Sequence, residues 1–271
     1  MTVNLGNLPP SQRRHFVRID SGAAADDEAP IAEEVPVAFV YGGKPHVVMM
    51  CTPADLEDLA IGFTLSEEIV ERAGDITRAD VVRHARGIEV QLEIPPEAQA
   101  RVAGRTRALA GRTGCGLCGI DAIDNAIRAP RQVASKARFT AAAVAKAGVA
   151  LGPAQTVNNE TRSVHAAAFA SADGALVVVR EDVGRHNALD KVIGALARTG
   201  VDSTQGFFVV TSRASYELVQ KVAVAGSPLL AAVSRPTGLA IRFAEEAGLT
   251  LVGLLRGETA NVYTHAERLG L

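Results

Sequence analysis

The sequence predicts an α/β protein, with a smaller α+β domain leading into a domain whose mostly parallel sheet is flanked by helices. Three observations predict it. Two hairpin patterns with glycine-bearing turns lie before residue 95. From residue 140 onward, strand and helix patterns alternate, which requires crossover connections and favours parallel pairing. Between the two regions, regular periodicity fades. The expected organisation is a flexible lead-in over 1–34, an N-terminal α+β domain over 35–112, a connecting segment over 113–139 and a C-terminal α/β domain over 140–271.

Residues 1–34 are rich in Pro, Ala, Asp and Glu and show little periodicity, so a mobile lead-in is expected. Val35–Tyr41 and Pro45–Cys51, joined at Gly42-Gly43, read as a β-hairpin. Thr52 is placed as an N-cap, with Pro53 at the first helical position and Asp55 completing a capping-box variant. Leu56, Leu59, Ala60 and Phe63 then have helical spacing. Asp80–Ile94 reads as a second hairpin around Arg86-Gly87. From Pro95 to Arg112 the pattern is lost, and Arg101, Arg105, Arg107 and Arg112 accumulate with no acid from Arg101 to Arg112. A helix over Thr140–Ala150 and a strand near Ala166–Ala170 open the second domain. Ala175–Arg180, Phe207–Ser212, Leu229–Ser234 and Thr250–Leu255 are strands. The intervening helices carry the stripes Leu189/Val192/Ile193/Leu196, Leu218/Val222/Ala225 and Leu239/Phe243/Ala247.

Composition narrows the function. The 271 residues carry a formal charge of −2, so there is no whole-protein basic footprint for nucleic acid. Aromatic residues make up 4% and Trp is absent, which argues against a base-stacking platform and leaves the core to Ala, Val, Leu and Ile. Three cysteines, an odd and low number, do not fit a secreted disulfide framework and imply a reducing compartment. The N-terminus lacks an apolar signal region, and the best apolar run, Val222–Val233, is broken by Gly226 and Pro228. The expectation is a cytoplasmic protein that engages neither membrane nor nucleic acid.

Each strand of the second domain is followed by a basic loop. Arg180, Arg185 and His186 follow the first, Arg213 the second, Ser234, Arg235 and Thr237 the third, and Arg256 the fourth. In a parallel sheet these loops share one edge, where open α/β sheets bind ligands. Helix N-termini at that edge favour anions, and Arg pairs bidentately with phosphate. The alternative is that Asp182, Ser212 and Thr237 cap helices while the arginines merely end strands. The second constellation is Cys115-x-x-Cys118, flanked by Gly114, Gly116 and Gly119 behind the basic segment. A metal site, a redox dithiol, a reactive thiolate or inert structural cysteines are all open. Structural zinc needs four ligands, and no histidine has ligand spacing to the pair, so no metal is expected. Nearby arginines would lower a thiol pKa and enrich the nucleophilic thiolate. Cys51, in Val47–Cys51, reads as a packed thiol. Zinc-dependent nucleobase deamination needs H-x-E before P-C-x-x-C. Here His265-Ala266-Glu267 follows the cysteines and Gly114 precedes Cys115, so that activity is rejected. His165 is either a satisfied half-buried histidine or a proton donor or acceptor near the thiolate. Ala260–His265 is either a polar ligand-binding stretch or an ordinary C-terminal extension.

Cys115–Gly119, the string Arg180-Glu-Asp-Val-Gly-Arg-His-Asn-Ala-Leu-Asp-Lys191, Ser212–Glu217, Ser234–Thr237 and Asn261–His265 together resemble the formate dehydrogenase accessory sulfurtransferase (FdhD) family over roughly residues 35–269. The resemblance implies a cytidine-deaminase-like second domain and a homodimer. It implies that sulfur passes from a cysteine desulfurase to the molybdenum bis(molybdopterin guanine dinucleotide) cofactor before that cofactor enters formate dehydrogenase. It assigns the persulfide to Cys115, with Cys118 assisting. It assigns cofactor binding to Ala260, Asn261, Val262, Tyr263, Thr264 and His265, with the strand-end arginines facing guanine-nucleotide phosphates. The alternatives are a cofactor-binding chaperone, or a binder of GDP-like nucleotides, with a structural or redox cysteine pair. The family usually has T-G-G before V-H-A-A; here Thr161-Arg162-Ser163 stands there.

Overall fold

The computed structural model describes residues 4–109 and 129–271. Ser11–Asp20 (β1) and Ala23–Ala32 (β2) pair as an antiparallel hairpin, which corrects the expected lead-in. Neither strand has an alternating apolar face, and both carry consecutive charges, so a hydrophobic-period reading misses them. Cross-strand pairs Arg13–Glu28, Arg14–Glu33 and Arg18–Asp27 accompany the register. Ser21 and Gly22 turn the chain with φ of 49° and 88°.

Val35–Tyr41 (β3) and Lys44–Cys51 (β4) form the expected hairpin, with positive φ at Gly42 and Gly43 as a tight primed turn demands. Helix α1 spans Leu56–Ser66, followed by β5 (Arg78–His84), β6 (Gly87–Glu93) and α2 (Pro96–Leu109). The sheet order is β4-β3-β6-β5, with β3 and β6 parallel. Two local expectations are corrected. Pro95–Arg112 is not featureless: α2 occupies most of its described part, with Pro96 pre-set for a first helical turn and Ala98 and Val102 buried. Thr52 does not cap α1. The cap position is Asp55, in left-handed backbone, and Thr52 faces the other domain.

The second domain contains α3 (Ala141–Leu151), α4 (Thr156–Thr161), β7 (His165–Ala170), β8 (Leu176–Asp182), α5 (Arg185–Thr199) and β9 (Phe207–Val210). It continues with α6 (Tyr216–Val224), β10 (Leu229–Ala232), α7 (Gly238–Ala247), β11 (Thr250–Arg256) and β12 (Thr259–Thr264). The order β12-β11-β10-β9-β7-β8 is a mixed sheet rather than a mostly parallel one. β9, β10 and β11 are parallel; β7 is antiparallel to both neighbours, and β12 is antiparallel to β11. The short Ser171–Ala175 turn explains the β7–β8 pair, because parallel strands need a longer crossover. Because β7 reverses direction between β8 and β9, those two still point the same way. The ends of β8 through β11 therefore share one edge, and the start of β7 joins them. Helices α5, α6 and α7 bury Leu189, Val192, Leu218, Val222 and Phe243 on one sheet face, while α3 covers the other with Val144, Ala147 and Leu151.

The two domains meet where α1 crosses α5. A Cβ on Gly62 would fall 1.7 Å from the Asp190 carbonyl oxygen, and one on Gly194 would fall 1.9 Å from that of Asp58. The helix backbones are in contact, and only glycine fits at either position.

Candidate functional site: a cationic strand-end edge

Helix α5 begins three residues beyond the end of β8. Its N-cap, Gly184, has no side chain to accept from the first turn, so the initial N–H groups and the positive dipole end stay uncapped. Arg185 is the first helical residue, and its buried Nε has no hydrogen-bond partner. Arg213 and Arg235 lie exposed on the loops after β9 and β10, and Arg256 is the exposed last residue of β11. None of these four arginines forms an ion pair among the described residues. His165 opens β7 opposite Asp182 and is half-buried. Burial, and then the charges of Arg185 and His186, push its pKa below the ordinary value of 6.5. That shift favours the neutral imidazole.

Other predicted residues serve the fold. Arg180 turns to the domain junction, where Nε lies 2.9 Å and Nη2 2.8 Å from Asp58 Oδ2. His186 Nε2 is held 2.7 Å from Glu217 Oε2. Thr237 caps α7, accepting from the Ala240 N–H at 3.2 Å. The Ser234 carbonyl accepts from the Leu254 N–H at 3.2 Å, tying its loop to β11. Ala260–Thr264 is not a trailing extension but part of β12, the edge strand. Its register, Asn261 opposite Gly253 and Thr264 opposite Leu251, divides the stretch. Ala260 and Asn261 are exposed toward the strand-end edge, and Val262 and Tyr263 pack against the core. Thr264 and His265 lie toward the opposite edge. There Thr264 Oγ1 donates to the Leu249 carbonyl at 2.7 Å, and the His265 ring lies 3.0 Å from the Glu245 carbonyl oxygen. Cys115 and Cys118 lie outside the described residues. Cys51 is buried, and burial holds its thiol well above the usual range, as expected of a packed, inert cysteine.

The residues that sequence reasoning missed lie within the Arg180–Lys191 string itself. Asp182 Oδ1 accepts from the Gly184 N–H at 2.8 Å and Asn187 Nδ2 at 2.9 Å. Its Oδ2 accepts from the Thr52 N–H at 3.1 Å and lies 2.7 Å from Lys191 Nζ. Thr52, Asp182 and Lys191 are wholly buried. Asn187 also donates to the Met50 carbonyl at 3.0 Å. Glu181 accepts from the Val157 and Asn158 N–H groups and so caps α4. Asp190 accepts from Ser66 Oγ and Lys221 Nζ. The density of charged residues in the string was the available signal, but two of the partners, Thr52 of Asp182 and Ser66 of Asp190, lie more than a hundred residues away in the other domain. Arg162 sits in left-handed backbone at φ 56°, a conformation glycine adopts without strain.

Among the described residues, no cluster of three or more His, Cys, Asp or Glu is placed to hold a metal, and no helix is long and apolar enough to cross a membrane.

The FdhD/NarQ family model matches residues 32–270. A sulfur carrier protein FdhD of Xanthomonas euvesicatoria pv. vesicatoria is 49% identical over 270 residues, covering 100% of this chain and 95% of the relative. One of Cupriavidus necator with the same name is 53% identical over 239 residues, covering 88% and 83%. A crystal structure from Desulfotalea psychrophila, named as a candidate formate dehydrogenase accessory protein, shares the fold. Its TM-score is 0.75 at 23% identity, over 96% of this chain and 100% of that one.

Proposed function

The chain belongs to the FdhD/NarQ family, and on that premise we propose that it is a cytoplasmic sulfur carrier serving formate dehydrogenase maturation. The observation that carries this reading is the strand-end edge. An uncapped helix start and Arg185, Arg213, Arg235 and Arg256, which have no ionic partner among the described residues, form an anion-seeking face beside His165, in a chain that also holds the Cys115–Cys118 pair. Such a face suits the phosphates of a guanine dinucleotide. The substrate in this reading is the molybdenum bis(molybdopterin guanine dinucleotide) cofactor, with GDP as its simplest fragment, and Ala260 and Asn261 border the same edge. The reading also takes the second domain as cytidine-deaminase-like and the working form as a homodimer.

The chemistry follows from sulfur. The Cys115 thiolate attacks the terminal sulfur of a cysteine desulfurase persulfide. An S–S bond forms on Cys115, the donor's S–S bond breaks, and the desulfurase cysteine leaves as thiolate. For delivery, the Cys118 thiolate attacks Cys115 Sγ. A Cys115–Cys118 disulfide forms, and the outer sulfur departs as sulfide toward molybdenum. The dithiol supplies the two electrons, and a cellular thiol later restores it.

Mass spectrometry after incubation with desulfurase and cysteine tests the first step. A persulfide mapped to Cys115, and absent in Cys115→Ala, is expected. An unmodified Cys115, or an equal adduct in Cys115→Ala, would leave the cofactor-chaperone reading in its place.

A further inference from the structure

We propose that Thr52, in the N-terminal domain, is a positioning residue for the anion-binding edge of the C-terminal domain. The N–H, the hydroxyl oxygen and the carbonyl of this buried residue each bond across the domain junction. Its N–H donates to Asp182 Oδ2 at 3.1 Å, its Oγ1 accepts from the Val183 N–H at 3.1 Å, and its carbonyl accepts from Lys191 Nζ at 3.2 Å. Val183 and Gly184 are the turn between β8 and α5. Asp182 grips the far side of that turn through the Gly184 N–H and through Asn187, one helical turn into α5. A side chain at Gly184 would press on the same latch, because its Cβ would fall 2.8 Å from Asn187 Nδ2. The residue that leaves the helix start uncapped thus sits against the contacts that hold the helix start in place. The direction of the first α5 N–H groups, and the departure point of the Arg185 side chain, are set by a threonine from the other domain. This also gives the smaller domain a role in ligand binding although it supplies none of the strand-end arginines.

The inference rests on the anionic-ligand reading above, so its test has an arm that needs no ligand. The full chain carrying Thr52→Val keeps shape and backbone but strands the Val183 N–H, whereas Thr52→Ser keeps the oxygen. Hydrogen exchange of the Val183–Asn187 amides should quicken about tenfold in Thr52→Val and stay near wild type in Thr52→Ser, with β9 amides unchanged as the control for global stability. GDP, titrated calorimetrically, should bind about tenfold more weakly to Thr52→Val and normally to Thr52→Ser. Should Thr52→Val not fold, Thr52→Ala replaces it with the same expectation. Unchanged exchange at the turn would overturn the inference, as would quickened exchange with unchanged GDP affinity in a wild type that binds GDP. If the wild type binds no GDP, the anionic-ligand reading fails, and the exchange arm alone decides whether Thr52 sets the turn.

Discussion

Arg180 and Arg185 are five residues apart in one sequence string, yet their surroundings treat charge in opposite ways. Arg180 points into the junction of the two domains, where it and Arg198 share the nearly buried carboxylate of Asp58. Lys191 and Lys221 are likewise matched there, to Asp182 and Asp190. Arg185 points to the strand-end edge, and there Arg213, Arg235 and Arg256 also lack an ionic partner among the described residues. Desolvating an unpaired charge is costly. An edge that gathers unpaired arginines around an uncapped helix start is suited to an external anion. The contrast separates residues that hold the domains together from residues available to a ligand.

The contrast breaks most visibly at the junction. Asp190→Ala leaves Lys221 buried without its main counter-charge and should cost about 3–5 kcal/mol in denaturant unfolding. A loss under about 1 kcal/mol would show that the junction does not depend on charge pairing. At the edge the pattern should invert. Arg185→Gln should change unfolding stability by no more than about 0.5 kcal/mol, while weakening GDP binding by about 1.5–3 kcal/mol, the worth of a hydrogen bond to a charged group. Equal affinity in that variant would remove Arg185 from the site.

Two smaller effects sharpen the same comparison. Arg162 occupies left-handed backbone beside the edge, so Arg162→Gly should raise stability by about 1 kcal/mol through relief of that strain; a destabilised variant would mean that the Arg162 side chain makes contacts worth more than the strain. His165 has a folded-state pKa below its ordinary value of 6.5, held there first by burial and then by Arg185 and His186. The unfolded chain therefore binds this proton more readily. The stability contribution is complete above about pH 6.5 and is lost as pH falls from there through the folded-state value. His165→Gln should flatten the slope of stability against pH in that window, and an unchanged slope would assign it to other groups.

Local chemistry made some of this structure legible in advance. Alternating apolar residues around Gly42-Gly43 located β3 and β4, and the apolar runs located β7 to β11. β1 and β2 were not legible, because Ala-Asp-Glu stretches have low strand propensity and their pairing rests on charge. β7 was legible as a strand but not its direction, which the Ser171–Ala175 turn decides. The strand-end arginines were legible as a repeating pattern after each strand. Their division was not, because the partner of Arg180 is Asp58, on a helix of the other domain. Thr52 shows the same limit: local sequence makes it a helix cap, and tertiary structure spends it on Asp182, Val183 and Lys191. Ala260–His265 looked like one polar unit, and pairing with β11 sends its two ends to opposite edges.

Complementation decides whether this chain carries sulfur on Cys115 for formate dehydrogenase. A strain lacking the chain is supplied with wild type or with Cys115→Ala at matched protein levels, and formate dehydrogenase activity is assayed. Wild type should restore activity, and Cys115→Ala should lower it at least about 10²-fold, as expected when an essential nucleophile is removed. Full activity with Cys115→Ala would contradict that role.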